Sequence, residues 1–300
     1  MRKFIRETIK DQVRSSFNLD EIQSLAMDFF DYQAKERDFL FAQITVLHYK
    51  MFNGEEQGDI YQAAAAVEML ALASDILDDL QDQDNVDAPW RKLDSSLVTN
   101  IAVGLFLLGK QTLDLYTEIS EKLASKLFYS AIFSSLVGQH LDLKNDINNE
   151  GDYFQVVKNK TALIRFSSLI GATMAKAQDV QINIIRQYAE KMGIISQLLN
   201  DLNDLYHWEK KSDISSKKKT LPILYMLDIP DQSIIKTYYQ TDTPFSQIYS
   251  EKQLAIQEME LLGAMRYTKT IIALERIKAL QQISKLDISS AYKEQLTRFF

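Results

Sequence analysis

The acidic stretch 74–85 carries four carboxylates at positions i, i+3, i+4 and i+7, which are Asp75, Asp78, Asp79 and Asp82. On a helix this spacing places all four on one stripe. The preceding segment 63–73 is almost entirely apolar, and burying a carboxylate is costly unless it is paired or bound to a metal. Oxygen ligands suit a hard cation such as Mg²⁺. The stripe therefore predicts either a magnesium site or a solvated acidic face at a helix end.

A second polar stripe of the same geometry lies about 120 residues further along, and it consists of Gln197, Asn200, Asp201 and Asp204. Two such stripes facing each other across a cavity would hold Mg²⁺ ions, which neutralise and orient a diphosphate. Lys160 precedes the second stripe and Lys218 follows it, and a compact ammonium binds phosphate oxygens. We therefore predict a site that binds a diphosphate and releases it from an allylic group, inside apolar walls that exclude water.

The composition indicates one helical domain. The 300 residues are 46% hydrophobic, with only 9 Gly and 4 Pro and no linker rich in either, so we predict an all-α fold in a single domain, 1–300. A net charge of −7 argues against nucleic acid as a partner. The absence of cysteine excludes disulfides and is compatible with the cytoplasm, where we expect the protein.

Helical periodicity runs through nearly the whole chain. Segment 1–17 predicts an amphipathic basic helix, which either packs on the body or makes peripheral contact with a membrane. Segment 209–219 predicts a mobile charged loop, and Pro222 begins the helix after it. The other predicted helices cover about 18–33, 37–51, 58–82, 95–109, 111–145, 153–177, 180–208 and 231–300.

Five ordered motifs resemble those of the trans-isoprenyl diphosphate synthase family. Residues 78–82 are similar to its first aspartate-rich motif, DDxxD, and residues 197–204 to its second, QxxDDxxD. The other three motifs are GQxxD, KT and KxTLP, and they are matched by Gln139 with Asp142, by Lys160-Thr161, and by Lys218 to Pro222. The resemblance implies an isoprenoid-synthase bundle of helices around a central cavity, commonly a homodimer.

The resemblance also implies roles for individual residues. Three Mg²⁺ ions on an allylic prenyl diphosphate would be held by the two stripes, through Asp78, Asp79, Asp82, Asn200, Asp201 and Asp204. The same aspartates would be catalytic. The implied diphosphate-binding residues are Gln139, Lys160, Thr161, Lys218, Arg37 and His48. Ala73 and Ser74 would form the floor of the prenyl pocket, where small side chains admit a farnesyl tail.

Departures from the family pattern concern the acceptor. The family's basic GKR segment is replaced by Ala34-Lys35-Glu36-Arg37, and an arginine pair expected after the first motif is replaced by Asp87-Ala88-Pro89. Each charged hydrogen bond lost to an anionic acceptor costs about 1.5–3 kcal/mol. Asn200 also stands where the family has the first aspartate of its second motif, which implies a weaker third metal. We therefore expect an acceptor that is not a diphosphate.

Segment 74–85 followed by Ala88-Pro89-Trp90, together with residues 45–49, closely resembles the ComQ-type isoprenyltransferases of bacilli. This resemblance implies transfer of a farnesyl or geranyl group to a tryptophan of a peptide pheromone precursor of the ComX type. Two alternatives stay open: a trans-prenyl diphosphate synthase that uses isopentenyl diphosphate, and a non-catalytic helical binding protein that keeps a metal site.

Overall fold

The computed structural model describes residues 1–52, 58–116, 121–209, 213–230 and 232–300. This part of the chain is helical and contains no β-strand, so the all-α prediction is confirmed. A short 3-10 helix spans Pro89–Lys92. The α-helices are α1 (Arg2–Ser16), α2 (Asp20–Arg37), α3 (Leu40–Lys50), α4 (Gly58–Asp82), α5 (Ser95–Tyr116), α6 (Glu121–Lys144), α7 (Glu150–Lys160), α8 (Ala162–Met174), α9 (Asp179–Asp204), α10 (Leu221–Asp228), α11 (Ile234–Gln240), α12 (Phe245–Ser250), α13 (Lys252–Leu262), α14 (Ala264–Ser284) and α15 (Ser290–Thr297).

Helix α4 runs through the middle of the fold. Its apolar residues are spread around the whole circumference, which is the pattern of a helix buried on every side. Ala66 and Leu70 face a hydrophobic cluster shared with α3, α6, α8 and α9. Ala65 and Met69 face a second cluster, shared with α1, α2 and α5. Helix α4 therefore carries the first acidic stripe from the core outward to its C-terminal end.

Helix α1 packs on the body through its apolar face. Ile5, Ile9 and Val13 are fully buried, in the cluster that also contains residues of α4 and α5. Arg6 donates to Asp31 of α2 through Nε and Nη2, at 2.8 and 2.6 Å. The face that would enter a membrane is thus covered by protein.

Helices α4 and α5 are long and apolar enough to cross a membrane by length and composition. Inside the protein, however, the apolar window of α4 is 72% buried and that of α5 is 44% buried. A buried core helix of a globular protein meets the same criterion of length and hydropathy. The apolar character of α4 is therefore explained by its burial against neighbouring helices.

Helices α10, α11, α13 and α14 cover α7 and α9 with a third cluster. Ile195 and Leu198 of α9 are buried in it together with Leu221 of α10 and Ile272 of α14. This packing fixes the end of α9, which carries the second stripe, beside the segment that precedes α10.

Several predicted helix boundaries differ from the structure: the predicted helix 231–300, for example, consists of the five helices α11 to α15. Two differences have a clear physical cause. Helix α5 continues through Gly109, because this glycine allows close packing on α4: a Cβ added there would lie 2.9 Å from Leu70 Cγ. The predicted helix 153–177 is divided at Thr161, where φ is −88° and ψ is 17°. In both places the decisive contact is with another helix, which local periodicity does not contain.

Segment 209–219 lies partly outside the described residues, since residues 210–212 are not among them. From residue 213 the chain forms turns in which Ile214 is buried. The backbone N–H of Lys218 donates to Asp213 O at 2.8 Å, and Lys217 has a left-handed φ of 51°. These contacts define the course of the chain up to Lys218.

Candidate active site

Four helices end close together, and each brings a polar side chain of the predicted site. Their last residues are Asp82 of α4, Lys144 of α6, Lys160 of α7 and Asp204 of α9. The C-terminal carbonyl groups of a helix carry partial negative charge. Together with the nearby carboxylates, this partial charge makes the electrostatic potential negative where the four helices end. This region, called the mouth of the site below, therefore favours bound cations.

The ammonium groups of two lysines lie at this mouth. Lys160 Nζ is 2.8 Å from Asp142 Oδ2, 3.4 Å from Asp78 Oδ1 and 3.6 Å from Asp82 Oδ2. Lys218 Nζ is 2.7 Å from Asp82 Oδ2 and 2.9 Å from Asp142 Oδ2. The two lysines therefore bridge the first stripe on α4 and Asp142 on α6.

Electrostatics keeps both lysines charged. Burial disfavours their positive charge, but attraction by the surrounding carboxylates outweighs burial and raises the pKa of Lys160 and of Lys218. Burial likewise opposes ionisation of Asp142, yet the two lysines outweigh it and lower the pKa of that carboxyl. For Asp78 burial prevails over the attraction of Lys160 and raises the pKa. An incoming anion would therefore meet two protonated ammonium groups.

Close helix packing positions Lys160. A Cβ added at Gly138 of α6 would lie 2.3 Å from Lys160 N, and one added at Gly193 of α9 would lie 2.4 Å from Thr161 Oγ1. Thr161 Oγ1 donates to Val157 O at 2.8 Å. The break between α7 and α8 is thus held between two glycines, and the hydroxyl of Thr161 serves this packing.

Gln139 and Asp142 lie one turn apart on α6 and face the end of α4. Gln139 Nε2 is 3.5 Å from Asp82 Oδ1. Its Oε1 atom is buried and has no hydrogen-bond partner among the described residues. Gln139 therefore has unused hydrogen-bonding capacity close to Asp82.

Neutral donors hold the second stripe. Tyr153 OH donates to Asp201 Oδ2 at 2.6 Å, and Gln197 Nε2 donates to Asp201 Oδ1 at 2.8 Å. Burial raises the pKa of Asp201 to about 6. Asn200 Nδ2 donates to Asp204 Oδ2 at 3.3 Å. The structure thus brings Asn200, Asp201 and Asp204 to the end of α9, as the spacing predicts.

Asp213 is a site residue that the sequence reasoning missed. Its carboxylate is 3.8 Å from Lys218 Nζ. Burial raises its pKa to about 7 against the attraction of Lys218, and repulsion by Asp201 and Asp204 adds to the increase. Asp213 stands in a charged loop without periodicity, and only its position five residues before Lys218 could have drawn attention to it.

Asp79 faces away from the lysines. Its Oδ2 accepts from Trp90 Nε1 at 2.8 Å and from Asn85 Nδ2 at 3.1 Å. Trp90 belongs to the 3-10 helix and is 2% exposed. In this arrangement Asp78 and Asp82 face the lysine pair, whereas Asp79 fixes the segment after α4.

Arg37 pairs with α4. Its Nη1 is 2.7 Å from Asp75 Oδ2, and Gln33 Nε2 donates to the same oxygen at 2.6 Å. The attraction of Asp75 outweighs burial and raises the pKa of Arg37. The next two residues, Asp38 and Phe39, have left-handed φ values of 51° and 58°. The arginine predicted to bind a diphosphate is therefore neutralised by a carboxylate.

His48 lies in the core and not at the mouth. It is fully buried, its Nδ1 is 2.7 Å from Ile44 O, and its Nε2 is 2.6 Å from Tyr188 OH. Burial lowers its pKa to about 4. A neutral imidazole with both nitrogens engaged is not a diphosphate ligand, which corrects the expectation for His48.

The two predicted floor residues have different environments. Ala73 is fully buried in the cluster that α4 shares with α1, α2 and α5, so it does not border a pocket. Ser74 is partly exposed, and its Oγ donates to Leu70 O at 2.9 Å. Ser74 lies one turn before Asp78, so it stays the candidate for the floor.

The donors at the mouth fit Mg²⁺ by chemical type, because this cation prefers carboxylate and amide oxygens. Within the described ranges, no three carboxylate or imidazole side chains are gathered as a metal site. Asp82 is paired with lysines and Asp201 with Tyr153 and Gln197. Metal binding would therefore require these carboxylates to exchange their present contacts.

A cavity of about 440 Å³ opens beside Lys218. Its walls come from the ends of α4 and α6 and from the segment before α10, and they include Asp82, Asp142, Asn145, Trp208, Ser215 and Lys218. The cavity is large enough to admit a diphosphate next to the ammonium group of Lys218.

Residues 39–257 match the family model of polyprenyl synthetase, and the chain belongs to this family. The fold is that of a crystal structure of geranylgeranyl pyrophosphate synthase, with a TM-score of 0.86 and 21% identity over 100% of this chain and 97% of that one. Polyprenyl synthases generally use Mg²⁺ to bind the diphosphate.

Similarity within the family is uneven. The chain is 29% identical to tryptophan prenyltransferase ComQ of Bacillus spizizenii over 289 residues, which cover 95% of this chain and 99% of that protein. It is also 29% identical to geranylgeranyl diphosphate synthase of Sulfolobus acidocaldarius, but over 60% of this chain and 59% of that protein. The predicted resemblance to ComQ-type enzymes is confirmed.

Proposed function

We propose that the chain is a cytoplasmic isoprenyltransferase that moves a farnesyl or geranyl group from its diphosphate to a tryptophan of a peptide pheromone precursor of the ComX type. The observation that carries the proposal is the asymmetry of the site. Lys160 and Lys218 lie together at the ends of the helices, where a diphosphate with its metal ions could replace their carboxylate partners, whereas Arg37 on the acceptor side is a single cation paired with Asp75. Similarity to ComQ over 95% of the chain supports the same function.

The donor half binds the diphosphate through ammonium groups. Lys160 and Lys218 each have three N–H donors, and they would exchange carboxylate oxygens for diphosphate oxygens. Three Mg²⁺ ions, when bound, would supply positive charge that neutralises the diphosphate and makes it a better leaving group. The proposed metal ligands are Asp78, Asp82, Asn200, Asp201 and Asp204, together with Asp79, whose carboxylate would first have to leave Trp90 and Asn85.

The transfer itself needs no general base at the start. The bond between the allylic carbon and the diphosphate oxygen breaks, and the diphosphate leaves with the electron pair while the two lysines hold it. The cation is delocalised over the allyl group, and apolar helix walls protect it from water. Indole C3 then forms a bond to the allylic carbon, which leaves a positive charge at C2 of the indole. The backbone amide nitrogen of the same tryptophan bonds to C2 and loses its proton to the released diphosphate or to water, which gives a cyclised, modified tryptophan.

The acceptor half disfavours a second diphosphate. Asp75 neutralises Arg37, and Asp87-Ala88-Pro89 provides no cation after the first motif. Each missing charged hydrogen bond would cost an anionic acceptor about 1.5–3 kcal/mol. A neutral indole does not need these cations, so the same changes leave its binding intact.

The test supplies Mg²⁺ and labelled geranyl or farnesyl diphosphate, with either the tryptophan-containing precursor peptide or isopentenyl diphosphate. We expect label in the peptide, no transfer by Asp78→Ala, and normal transfer by Asp59→Ala, a matched change at the exposed start of α4. Label in a longer diphosphate would identify the alternative, a trans-prenyl diphosphate synthase. No turnover with either acceptor would favour a non-catalytic binding protein.

We also propose a homodimer formed through α5 and α6. Leu107, Phe133 and Leu136 on these helices are 65%, 62% and 59% exposed, and large exposed apolar surfaces are typical of protein interfaces. Light scattering should give twice the chain mass for the native protein and the chain mass for Leu107→Glu with Phe133→Glu. A monomeric native protein would contradict this part of the proposal.

A further inference from the structure

Asp75, one turn before Asp78 on α4, has one carboxylate oxygen occupied and the other open. Gln33 Nε2 and Arg37 Nη1 both contact Oδ2, at 2.6 and 2.7 Å. No hydrogen bond to Oδ1 is seen among the residues that the structure describes, and 24% of the side chain is exposed. Two donors on one oxygen hold the carboxylate in place, so Oδ1 is presented in a fixed direction.

Gln33, one of the two residues that hold Asp75, is itself incompletely satisfied. Gln33 is 4% exposed, and its Oε1 has no hydrogen-bond partner in the described part of the chain. The turn after Arg37 places Asp38, the C-cap of α2, and Phe39 in the left-handed region, which ends α2 directly after Arg37. These observations lie outside the acidic stripe, and they indicate that α2 is built to position a hydrogen-bond acceptor for a ligand.

Asp75 lies at the depth where the acceptor must approach. The diphosphate would be held at the level of Asp78 and Asp82, where Lys160 and Lys218 lie. A rise of about 1.5 Å per residue puts position 75 about 4.5 Å further inward along α4. The allylic carbon is bonded to the diphosphate and follows it inward, so an acceptor that attacks this carbon comes close to Asp75.

We propose that Asp75 Oδ1 accepts a hydrogen bond from the indole N–H of the acceptor tryptophan and thereby turns C3 toward the allylic carbon. This inference rests on the proposed function. Indole N–H is only a donor and a carboxylate is only an acceptor, so the two groups are complementary. Arg37 offsets the charge of the carboxylate, while Oδ1 remains available. Asp75 is then an acceptor-binding residue that favours a neutral N–H donor over an anion.

The test compares precursor peptides that contain tryptophan or 1-methyltryptophan, which lacks the N–H. For the unaltered protein we expect kcat/KM to fall at least 10-fold on methylation, as for loss of a charged hydrogen bond. In Asp75→Ala the two peptides should differ less than about 3-fold, because the interaction is absent from both. The control Asp31→Ala, which changes a partner of Arg6 on α2, should keep the full discrimination.

Discrimination that persists in Asp75→Ala, or that is absent from the unaltered protein, would overturn the inference while leaving tryptophan transfer intact. Failure of the unaltered protein to modify either peptide would instead contradict the proposed function. If Asp75→Ala does not fold, Asp75→Asn preserves the shape and removes the charge. In Asp75→Asn the ratio of kcat/KM between the tryptophan and 1-methyltryptophan peptides should be several-fold smaller than in the unaltered protein. An unchanged ratio would count against the role of Asp75.

Discussion

The position of Lys160 depends on a glycine in another helix, and replacing that glycine tests the site. A Cβ added at Gly138 would lie 2.3 Å from Lys160 N and 2.7 Å from Lys160 Cα. Ordinary van der Waals contact begins near 3.4 Å, so α6 and the end of α7 must separate by about 1 Å in Gly138→Ala. The displaced atoms are backbone, which a change of rotamer cannot relieve.

The expected loss has two separable parts. Overpacking of this kind costs about 1–3 kcal/mol of stability, which for a chain of this size lowers Tm by roughly 2–6 °C. A misplacement of about 1 Å at a reacting centre costs on the order of 100-fold in rate. Because Lys160 Nζ lies 2.8 Å from Asp142 Oδ2, its displacement should appear mainly as slower diphosphate release.

The assay measures release of inorganic pyrophosphate from geranyl or farnesyl diphosphate, below the Tm of the variant. Gly151→Ala is the matched control on α7, because a Cβ there meets only the Asn149 side chain, at 2.9 Å. We expect Gly151→Ala to keep the native rate and Gly138→Ala to lose about 100-fold. A rate within about 3-fold of native in Gly138→Ala, together with the expected fall in Tm, would refute the positioning role of this packing.

Three further predictions concern single side chains. Lys160→Ala should lower kcat by about 10²–10³-fold, whereas Lys158→Ala, which changes an exposed partner of Glu190, should not; equal kinetic losses would contradict the role of Lys160. Burial raises the pKa of Glu68 from 4.5 to about 7, so its contribution to stability is complete below pH 4.5 and is lost as the pH rises through 7. Glu68→Gln should therefore gain about 3 kcal/mol relative to the native protein between pH 4 and pH 8, and denaturant unfolding that gives the same difference at both pH values would contradict this. Ser74→Phe should favour a geranyl over a farnesyl donor in a competition assay, and an unchanged preference would remove Ser74 from the pocket floor.

The sequence is informative about helices because their apolar repeat is a local property. Helix α4 was predicted at about 58–82 and spans Gly58–Asp82. The helix boundaries near Gly109 and Thr161 are harder to predict. The local sequence at Gly109 is typical of a helix end, and that at Thr161 is typical of a helix interior. Their actual roles follow from contacts with Leu70 and Gly193, which are far away in sequence.

The site residues show the same difference between what a local sequence pattern predicts and what only contacts distant in sequence determine. Lys160 and Lys218 could be singled out from the sequence because lysines that flank two acidic stripes in this order are suited to binding a diphosphate. Tyr153 and Asp213 could not, since their importance comes from Asp201 and from Lys218, which only folding brings near. Only the resemblance predicts a site role for His48, and its two buried hydrogen bonds place it in the core.

The first acidic stripe illustrates the limit of spacing as a guide to chemistry. At 100° per residue, Asp78 lies about 60° to one side of Asp75 and Asp79 about 40° to the other, while Asp82 is about 20° away and two turns further on. This arc is wide enough for different neighbours: the lysines contact Asp78 and Asp82, Trp90 contacts Asp79, and Arg37 contacts Asp75. Carboxylates of one stripe thus face the donor, a structural segment and the acceptor side. Only the neighbouring helices assign these tasks, which is why Asp75 belongs with the acceptor although its spacing groups it with the metal ligands.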